Sequence, residues 1–457
     1  MSVVKSLAAK LKGMSLGDML LRRNPLFYPA ALRVLNHLDG ATLEERRRFT
    51  EMRLKKVLQA ASRTPYGRQM GAGKDIAAWP LLEKSLVRDD PLAFVLPPVW
   101  LSSPASTSGT TGLPLKLYRS FQSVCVEQAS IDRLLLSKGV NPRTARTAVL
   151  RGDNIKDPTD RQPPFWKFAA GGQRMVMSSN HLSPQTIEAY HSALSAFAPE
   201  CLMAYPTSLE SLCRLLQESG RCLRIPLVVT SSETLTPQTR RLAQEVLGAE
   251  LVDYYGQAER VAFAYSFREG EYRFLAGYAF VELLPSGEEE DAVLYEIVGT
   301  NLWNLKMPLI RYRTGDLIRL PKGLSASQLE VICYGVEPFG GVLGRQGDYL
   351  VSPDGAHLMG IDHIPRDVEH VVRMQVIQES LYRVRILVVP AEGFNEQDRQ
   401  QILRNAALKL PAEMQVEVEV VQELVRMAQN KVPFVIRKLS HEGGTQDDHA
   451  QTGQQGH

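Results

Sequence analysis

The feature that most constrains the fold is a nearly continuous apolar run at residues 225–232, which ends in hydroxyl side chains. A strand of a parallel sheet is covered by helices on both faces, so its sequence lacks the polar alternation of a half-exposed strand. The carboxyl end of such a strand commonly delivers polar side chains to a binding site. The run therefore predicts a buried parallel strand that leads into a site.

Helical patterns surround this strand along the chain. We predict helices at 121–136, 184–197 and 206–219, and a further strand at 145–151. A charged amphipathic helix is predicted at 41–62, where Thr42 and Glu45 have the spacing of a capping box. Strands that alternate with helices pack as helices on a mainly parallel sheet, so the fold class is predicted to be α/β.

Length and charge limit the classes of function. The 457 residues exceed what one hydrophobic core usually holds, so we expect more than one domain. With 53 basic and 50 acidic residues the formal net charge is only +3, which favours no nucleic-acid partner. No apolar run reaches transmembrane length and no signal peptide is recognisable, so a cytoplasmic location is expected.

The cysteines and histidines suggest no metal site. Five scattered cysteines without a C-x-x-C pair argue against zinc or a disulfide framework and fit a reducing compartment. We expect all five to be buried as small apolar residues. His181 and His191 are expected at the surface or at helix caps rather than as ligands.

The two chain ends differ from the middle. Residues 1–23 combine apolar side chains at helical spacing with basic residues, a pattern of a helix that lies on an anionic membrane or on its own protein. We favour the second, because the apolar face is short and lacks aromatic residues. Residues 441–457 have little to bury and are predicted to be disordered.

A loop rich in Gly, Ser and Thr at residues 106–114 has the composition of an anion-binding loop. Gly109 and Gly112 let the backbone approach a bulky anion without interference from a Cβ atom. Hydroxyl donors for phosphate oxygens come from Ser106, Thr107, Ser108, Thr110 and Thr111. The spacing is not that of a Walker loop, and an ordinary surface loop is the alternative.

Three later segments accompany this loop. Residues 251–259 form a strand that runs into an aromatic pair and an acidic turn. Residues 301–316 end in a Gly-Asp turn, whose carboxylate could accept hydrogen bonds from a vicinal diol. A glycine-rich stretch at 344–350 begins what looks like a new module.

The order and spacing of these motifs resemble the adenylate-forming superfamily of acyl-CoA synthetases, non-ribosomal peptide synthetase adenylation domains and luciferases. Within it the chain is most similar to the phenylacetate-CoA ligase-like and CapK-like branch, over about residues 40–440. The resemblance implies a large adenylation domain with parallel-rich sheets and packed helices, and a small mobile α+β C-terminal domain. The implied boundaries are 1–40 for an N-terminal helical segment, 41–345, 346–440, and 441–457 for the tail.

The resemblance also implies nucleotide-binding roles, although each residue has an ordinary structural alternative. Residues 106–112 would hold ATP phosphates, from Ser106 through Thr107, Ser108, Gly109, Thr110, Thr111 and Gly112. Adenine and ribose would be bound by Ser232, Glu233, Tyr254, Tyr255, Gly256, Asp316 and Arg345. Glu259 would help to hold Mg²⁺. The alternatives are a core tyrosine for Tyr255, a solvated loop carboxylate for Glu259 and a surface ion pair for Arg345.

Catalytic and hinge roles are implied in the same way. Lys431 would bridge the substrate carboxylate and the α-phosphate, unless it is simply an exposed lysine. Asp348 would be the hinge about which the C-terminal domain turns. The acid pocket would include Trp166, Tyr205 and Ser231, with core packing as an equally good explanation of Trp166.

Two departures from the superfamily pattern are visible. Many relatives have lysine directly after the proline of the phosphate loop, whereas here Leu115 follows Pro114, and whether Lys116 takes the lysine's place is open. Asn430 stands where a glycine commonly precedes the catalytic lysine.

The implied activity is ATP-dependent conversion of a carboxylic acid to an acyl-adenylate, with Mg²⁺ and release of pyrophosphate. The acyl group would then pass to the thiol of coenzyme A or of the phosphopantetheine arm of an acyl or peptidyl carrier protein. Two alternatives stay open: transfer to an amine or sugar hydroxyl, and a non-catalytic nucleotide-binding role in an assembly. The acid and the oligomeric state are left undetermined.

Overall fold

The structure is a computed structural model, and two compact units account for the residues that it describes. The described residues are 18–71, 73, 75–106, 115–151, 155–156, 160, 162–179, 181–345, 350–353, 357–358, 361, 364–365, 368, 370–390, 393–425 and 434–439. The first unit contains those up to 345 and the second those from 350 onward.

The first unit contains nine of the α-helices in the described residues and fourteen strands. The helices are α1 (Tyr28–Asp39), α2 (Leu43–Ala61), α3 (Pro65–Met70), α4 (Lys84–Asp89), α5 (Phe121–Ser137), α6 (Ile187–Phe197), α7 (Pro206–Glu218), α8 (Pro237–Leu247) and α9 (Ala326–Cys333). The strands up to the middle of the unit are β1 (Ser103–Ser106), β2 (Lys116–Arg119), β3 (Thr147–Arg151), β4 (Trp166–Ala169), β5 (Arg174–Ser178), β6 (Cys201–Ala204) and β7 (Leu227–Ser231). The remaining strands are β8 (Glu250–Gly256), β9 (Phe263–Ser266), β10 (Tyr272–Phe274), β11 (Ala279–Glu288), β12 (Ala292–Asn301), β13 (Tyr312–Pro321) and β14 (Val342–Arg345).

An eight-stranded sheet forms the centre of this unit, in the order β10-β9-β8-β7-β6-β3-β5-β4. Its five middle strands are mutually parallel, whereas β4, β9 and β10 run antiparallel to their neighbours. Every residue of β7 is buried, which confirms the strand predicted from the apolar run. Large apolar clusters cover the two faces of the sheet, and α5, α6, α7 and α8 contribute to them. The predicted α/β class is therefore confirmed.

Local signals located the helices well. The capping box is present at the start of α2, where Thr42 and Glu45 bond reciprocally. Helices α5 and α7 begin at the predicted residues, while α6 begins three residues later than predicted, at Ile187. Its N-cap Thr186 makes no side-chain cap bond, because its hydroxyl bonds to His181 and Ser183 instead.

Part of the N-terminal segment packs on the first unit. Buried residues of α1, among them Tyr28 and Leu35, belong to the same apolar cluster as α5. Arg23 and the Tyr28 hydroxyl both donate to the carboxylate of Asp132 in α5, at 2.6 and 2.7 Å. Residues 1–17 of the basic helix predicted at 1–23 lie outside the described residues. Within the described ranges, no helix is both long enough and apolar enough to span a membrane.

A second, antiparallel sheet of the first unit has the strand order β11-β12-β13-β14. Its apolar cluster, which includes Ile297 and Ile318, is shared with residues of β9 and β10. The two sheets thus pack within one unit. The cysteine prediction is confirmed for Cys125, Cys201 and Cys213, which are buried. It was wrong at Cys222, which is exposed, and at Cys333, which is partly exposed.

The second unit is an α+β module. Its four-stranded sheet has the order β19-β18-β17-β20, formed by β17 (Val371–Ser380), β18 (Arg383–Pro390), β19 (Gln415–Val420) and β20 (Val435–Arg437). A hairpin of β15 (Leu350–Val351) and β16 (His357–Leu358) precedes it. Helix α10 (Glu396–Ala407) packs Ile402 and Ala406 into an apolar core with Val376 and Ile386.

Candidate functional site

Two parallel strands bring the predicted nucleotide-binding residues to one edge of the large sheet. Strands β7 and β8 are neighbours, and Ser231 at the end of β7 pairs in register with Tyr254. Ser232 follows directly, with φ of +73°, a backbone conformation that costs a non-glycine residue on the order of 1 kcal/mol. Such strain is commonly kept where a backbone turn serves a binding site. Ser232, Glu233, Tyr255 and Gly256 therefore lie at or just beyond this carboxyl edge.

Tyr255 connects this edge to the second sheet. Its hydroxyl donates a hydrogen bond of 2.6 Å to Oδ2 of Asp316 in β13, and it accepts one of 3.2 Å from the Gln257 side-chain amide. Burial and then the Asp316 charge raise the pKa of Tyr255 well above its ordinary value. The phenol thus keeps its proton over the physiological pH range and remains a donor to the carboxylate.

The turn that carries Asp316 is held from both sides. Gly315 has φ of +74°, which glycine adopts without strain, and its amide donates to Oε1 of Glu296 at 3.1 Å. The Asp316 amide donates to the Thr314 hydroxyl at 3.0 Å. In the ladder between β13 and β14, Arg345 is the register partner of Asp316. The predicted ribose-binding pair therefore lies on adjacent strands.

Glu259 lies in the turn that follows β8. Its side chain is only 4% exposed, so it is not the solvated loop carboxylate of the alternative interpretation. Its Oε1 accepts from the Tyr312 hydroxyl at 2.8 Å and lies 3.2 Å from Nζ of Lys84. A buried carboxylate with one oxygen held in this way is a fitting ligand for a hard cation such as Mg²⁺.

Arg151 lies beside two residues of the predicted acid pocket, Ser231 and Tyr205. This last residue of β3 donates from Nη2 to the Ser231 hydroxyl at 3.4 Å, and its guanidinium lies 5.5 Å from the centre of the Tyr205 ring. Its Nε is buried and has no acceptor in the described part of the chain. Sequence reasoning missed it, although an arginine that ends an apolar strand was a usable signal.

Trp166 and His181 belong to an aromatic cluster near the β4 edge of the large sheet. Trp166 packs edge-on against Phe165 and Tyr190, at 6.4 and 6.2 Å between ring centres. Strand β4 is four strands away from β7, roughly 19 Å at ordinary strand spacing. His181 stacks on Phe165 at 5.1 Å and is 1% exposed, so the prediction of a surface or capping histidine was wrong.

The hairpin of β1 and β2 flanks the predicted phosphate loop. Ser106 pairs in register with Lys116, so the two ends of the loop lie side by side. Lys116 is exposed. Several predicted residues lie outside the described ranges, namely Thr107, Ser108, Gly109, Thr110, Thr111 and Gly112 of the loop, Asp348 and Lys431.

Comparison with known proteins identifies relatives. The model of the CapK C-terminal domain matches residues 350–438. Protein CapK of Staphylococcus aureus is 22% identical over 309 residues, 66% of each chain, and phenylacetate-coenzyme A ligase of Pseudomonas putida is 22% identical over 333 residues, 68% of this chain and 69% of that protein. The matched region thus spans just under two thirds of the length of CapK.

Solved structures of 2-hydroxyisobutyryl-CoA ligase share the fold. The structure in the thioesterification state, with 2-HIB-AMP and CoA, superposes with a TM-score of 0.51 at 14% identity, covering 88% of this chain and 91% of that one. A structure of the same ligase in the postadenylation state gives 0.50 at 15% identity, covering 87% and 90%. With the sequence relatives, this common fold extends through both units. In sequence and in fold the chain is thus similar to the phenylacetate-CoA ligase-like and CapK-like branch of the adenylate-forming proteins.

Proposed function

We propose that this protein uses ATP to convert a carboxylic acid to an acyl-adenylate and then transfers the acyl group to a thiol. The observation that carries the proposal is the convergence of Tyr255, Asp316 and buried Glu259 around the end of β8. These residues supply acceptors for a ribose diol and for a cation within one unit. The relatives include a coenzyme A ligase, which favours coenzyme A or a phosphopantetheine thiol as the acceptor.

In the first step, an oxygen of the acid attacks the α-phosphorus of ATP, and the bond to the leaving pyrophosphate breaks. Mg²⁺, held by Glu259 and the phosphates, would neutralise charge on the phosphate oxygens. The Asp316 carboxylate accepts from the ribose hydroxyls, while Tyr255 keeps that carboxylate oriented. Lys431 is proposed to supply the ammonium that screens the two approaching anions.

In the second step, the acceptor sulfur attacks the acyl carbonyl carbon and AMP leaves with the bonding electrons. No enzyme nucleophile is needed, since the mixed anhydride already has a good leaving group. The proposed acceptor is a thiol, and transfer to an amine or sugar hydroxyl is the competing outcome.

Arg151 narrows the class of acid. Within the described residues its buried Nε has no acceptor, and a buried donor without an acceptor costs on the order of 1–3 kcal/mol. An oxygen of the bound acid would remove that cost. We therefore propose that the acid carries a second carboxylate, or a hydroxyl, in addition to the carboxylate that reacts.

The test is ATP–pyrophosphate exchange with a panel of acids, followed by acyl transfer with and without coenzyme A. Asp316→Asn should abolish exchange, whereas Asp89→Asn, at a 72% exposed carboxylate, should leave it unchanged. Exchange without acylation of coenzyme A would redirect the second step to a carrier protein, an amine or a hydroxyl. Absence of exchange with every acid, or equal exchange by Asp316→Asn and the wild type, would overturn the proposal.

A further inference from the structure

A cavity of about 520 Å³ in the first unit has six arginines in its lining. It lies beside the turn Asp18–Arg22 and reaches the first residues of β3 and β5. The arginines of its lining are Arg22, Arg23, Arg119, Arg143, Arg174 and Arg260, and Asp18 is the one carboxylate that the described part of the chain adds to them. None of the described residues that are predicted to bind the adenylate lines this cavity.

Among the described residues, carboxylates form ion pairs with two of these arginines. Arg23 is held by Asp132 at 2.6 Å and by Asp18, and Arg260 lies 3.6 Å from Glu127. Over the described ranges, none of the other four forms an ion pair. The cavity therefore holds a clear excess of positive charge.

Two of the unpaired arginines are also largely removed from water. Arg119 donates from Nη2 to the carbonyl of Ala258 at 2.7 Å, but its buried Nε has no acceptor in the part of the chain that the structure describes. Burial and then the charge of Arg260 lower the pKa of Arg119 to about 10. Burial likewise lowers the pKa of Arg174, even though the charge of Asp18 opposes this.

Unpaired, desolvated cations destabilise a folded protein, so a cluster of them is costly unless an anion binds there. Guanidinium groups pair with phosphate through two parallel hydrogen bonds, which matches an unoccupied Nε beside an Nη donor. The volume is in the usual range of small-molecule sites. Four unpaired guanidinium groups exceed what one phosphate can contact in this bidentate manner.

We propose that this cavity binds a small molecule that carries at least two phosphate groups. Two sources share this chemistry: the adenosine phosphates of coenzyme A, and a free phosphorylated metabolite. Neither Asp316 nor Glu259 lines the cavity, although Arg260 directly follows Glu259 in the chain and the Glu259 charge acts on Arg119.

The experiment is calorimetric titration of the full chain with pyrophosphate and, separately, with coenzyme A. Arg174→Gln and Arg119→Gln should each weaken pyrophosphate binding about tenfold or more, the usual loss for a charge-assisted hydrogen bond. Arg48→Gln is the matched control, since Arg48 is 76% exposed and lines no part of the cavity, and it should bind as the wild type does. Asp316→Asn should retain this binding while losing exchange, which separates failure of this proposal from failure of the proposed function.

The coenzyme A titration distinguishes the sources. If Arg174→Gln and Arg119→Gln weaken the binding of coenzyme A as much as that of pyrophosphate, the cavity binds the phosphates of coenzyme A. If they weaken the binding of pyrophosphate alone, the cavity binds a free phosphorylated metabolite. Removing the Arg174 charge should not lower the melting temperature, because Arg174 forms no ion pair with the described residues. Arg174→Lys, which keeps the charge but lacks the planar guanidinium, provides a second variant. Unchanged binding of pyrophosphate in both Arg174→Gln and Arg119→Gln would overturn the proposal.

Discussion

The Tyr255 hydroxyl donates a 2.6 Å hydrogen bond to the Asp316 carboxylate and thereby joins the end of β8 to the turn in β13. The two residues are 61 positions apart and lie in different sheets of the first unit. The carboxylate that we propose to bind the ribose is therefore held by the Tyr255 phenol before nucleotide binds. This preorganisation lowers the cost of binding.

Tyr255→Phe removes that hydrogen bond and retains the aromatic ring. A hydrogen bond to a charged group contributes about 1.5–3 kcal/mol, so we expect the KM for ATP to rise about tenfold or more. The measurement is pyrophosphate exchange at varied ATP. Tyr382→Phe, at a 55% exposed tyrosine, is the control and should leave the KM unchanged. An unaltered KM in Tyr255→Phe would remove the orienting role from this residue.

Glu259→Gln tests the proposed cation ligand. The amide keeps the shape of the side chain and can still accept from Tyr312, but it lacks the charge that Mg²⁺ needs. We expect exchange to fall about 100-fold and to require a higher Mg²⁺ concentration. Glu330→Gln, at a partly exposed carboxylate paired with Arg47, is the matched control. A loss of activity with an unshifted Mg²⁺ dependence would indicate a structural role instead.

Arg151→Gln should change which acids react. With the guanidinium present, acids that carry a second carboxylate should exceed otherwise similar monocarboxylic acids in kcat/KM. The variant should lose this preference by about tenfold, because one charge-assisted hydrogen bond is lost. The exchange assay compares succinate with butyrate, and then longer dicarboxylic acids with the matching monocarboxylic acids. The same ranking of acids in both proteins would contradict the assignment.

Asp253 gives stability a dependence on pH. Burial raises the pKa of this carboxyl to about 6, even though the hydroxyls of Thr230 and Tyr272 donate to it, each at 2.5 Å. The folded state therefore retains a proton that the unfolded chain releases near pH 4. The contribution to stability is fully present below about pH 4 and is lost as the pH rises through about 6, a change of about 3 kcal/mol.

Asp253→Asn should remove this part of the dependence of the unfolding free energy on pH. Urea unfolding midpoints of the wild type and the variant, measured between pH 4 and 7, give the difference directly. The wild type should lose stability relative to the variant as the pH rises over that range. Parallel curves for the two proteins would mean that Asp253 titrates as an ordinary carboxylate.

Gly299 in β12 should tolerate no side chain. A Cβ atom there would collide with the carbonyl oxygen of Val261 and lie 2.7 Å from its carbon, and a backbone group cannot swing aside. We expect Gly299→Ala to destabilise the protein by at least about 2 kcal/mol. Gly287→Ala is the control, because its Cβ would meet only the Leu294 side chain at an ordinary 3.7 Å. Similar unfolding midpoints for the two variants would refute this packing argument.

Local patterns account for the elements that were predicted correctly. The buried run that became β7 and the capping box of α2 depend on neighbours within a few positions, so they are visible in the sequence. The start of α6 was misplaced because the Thr186 hydroxyl bonds to the preceding turn, an interaction that periodicity does not reveal. His181 was misassigned for a related reason, since its buried ring stacks on Phe165, which lies 16 residues earlier in the chain, just before β4.

The residues of the candidate site also differ in whether the sequence or only the folded structure reveals them. The resemblance in motif order pointed to Tyr255, Glu259 and Asp316 as candidates for nucleotide binding, because motifs are visible in the sequence without the fold. Only the folded chain decides that Tyr255 bonds to Asp316, that Lys84 faces Glu259, and that Arg151 reaches Ser231. The same holds for the arginine cavity, whose residues come from six separate stretches of the chain. Charge, burial and hydrogen-bond geometry depend on distances through space, and those are set when distant strands pack together.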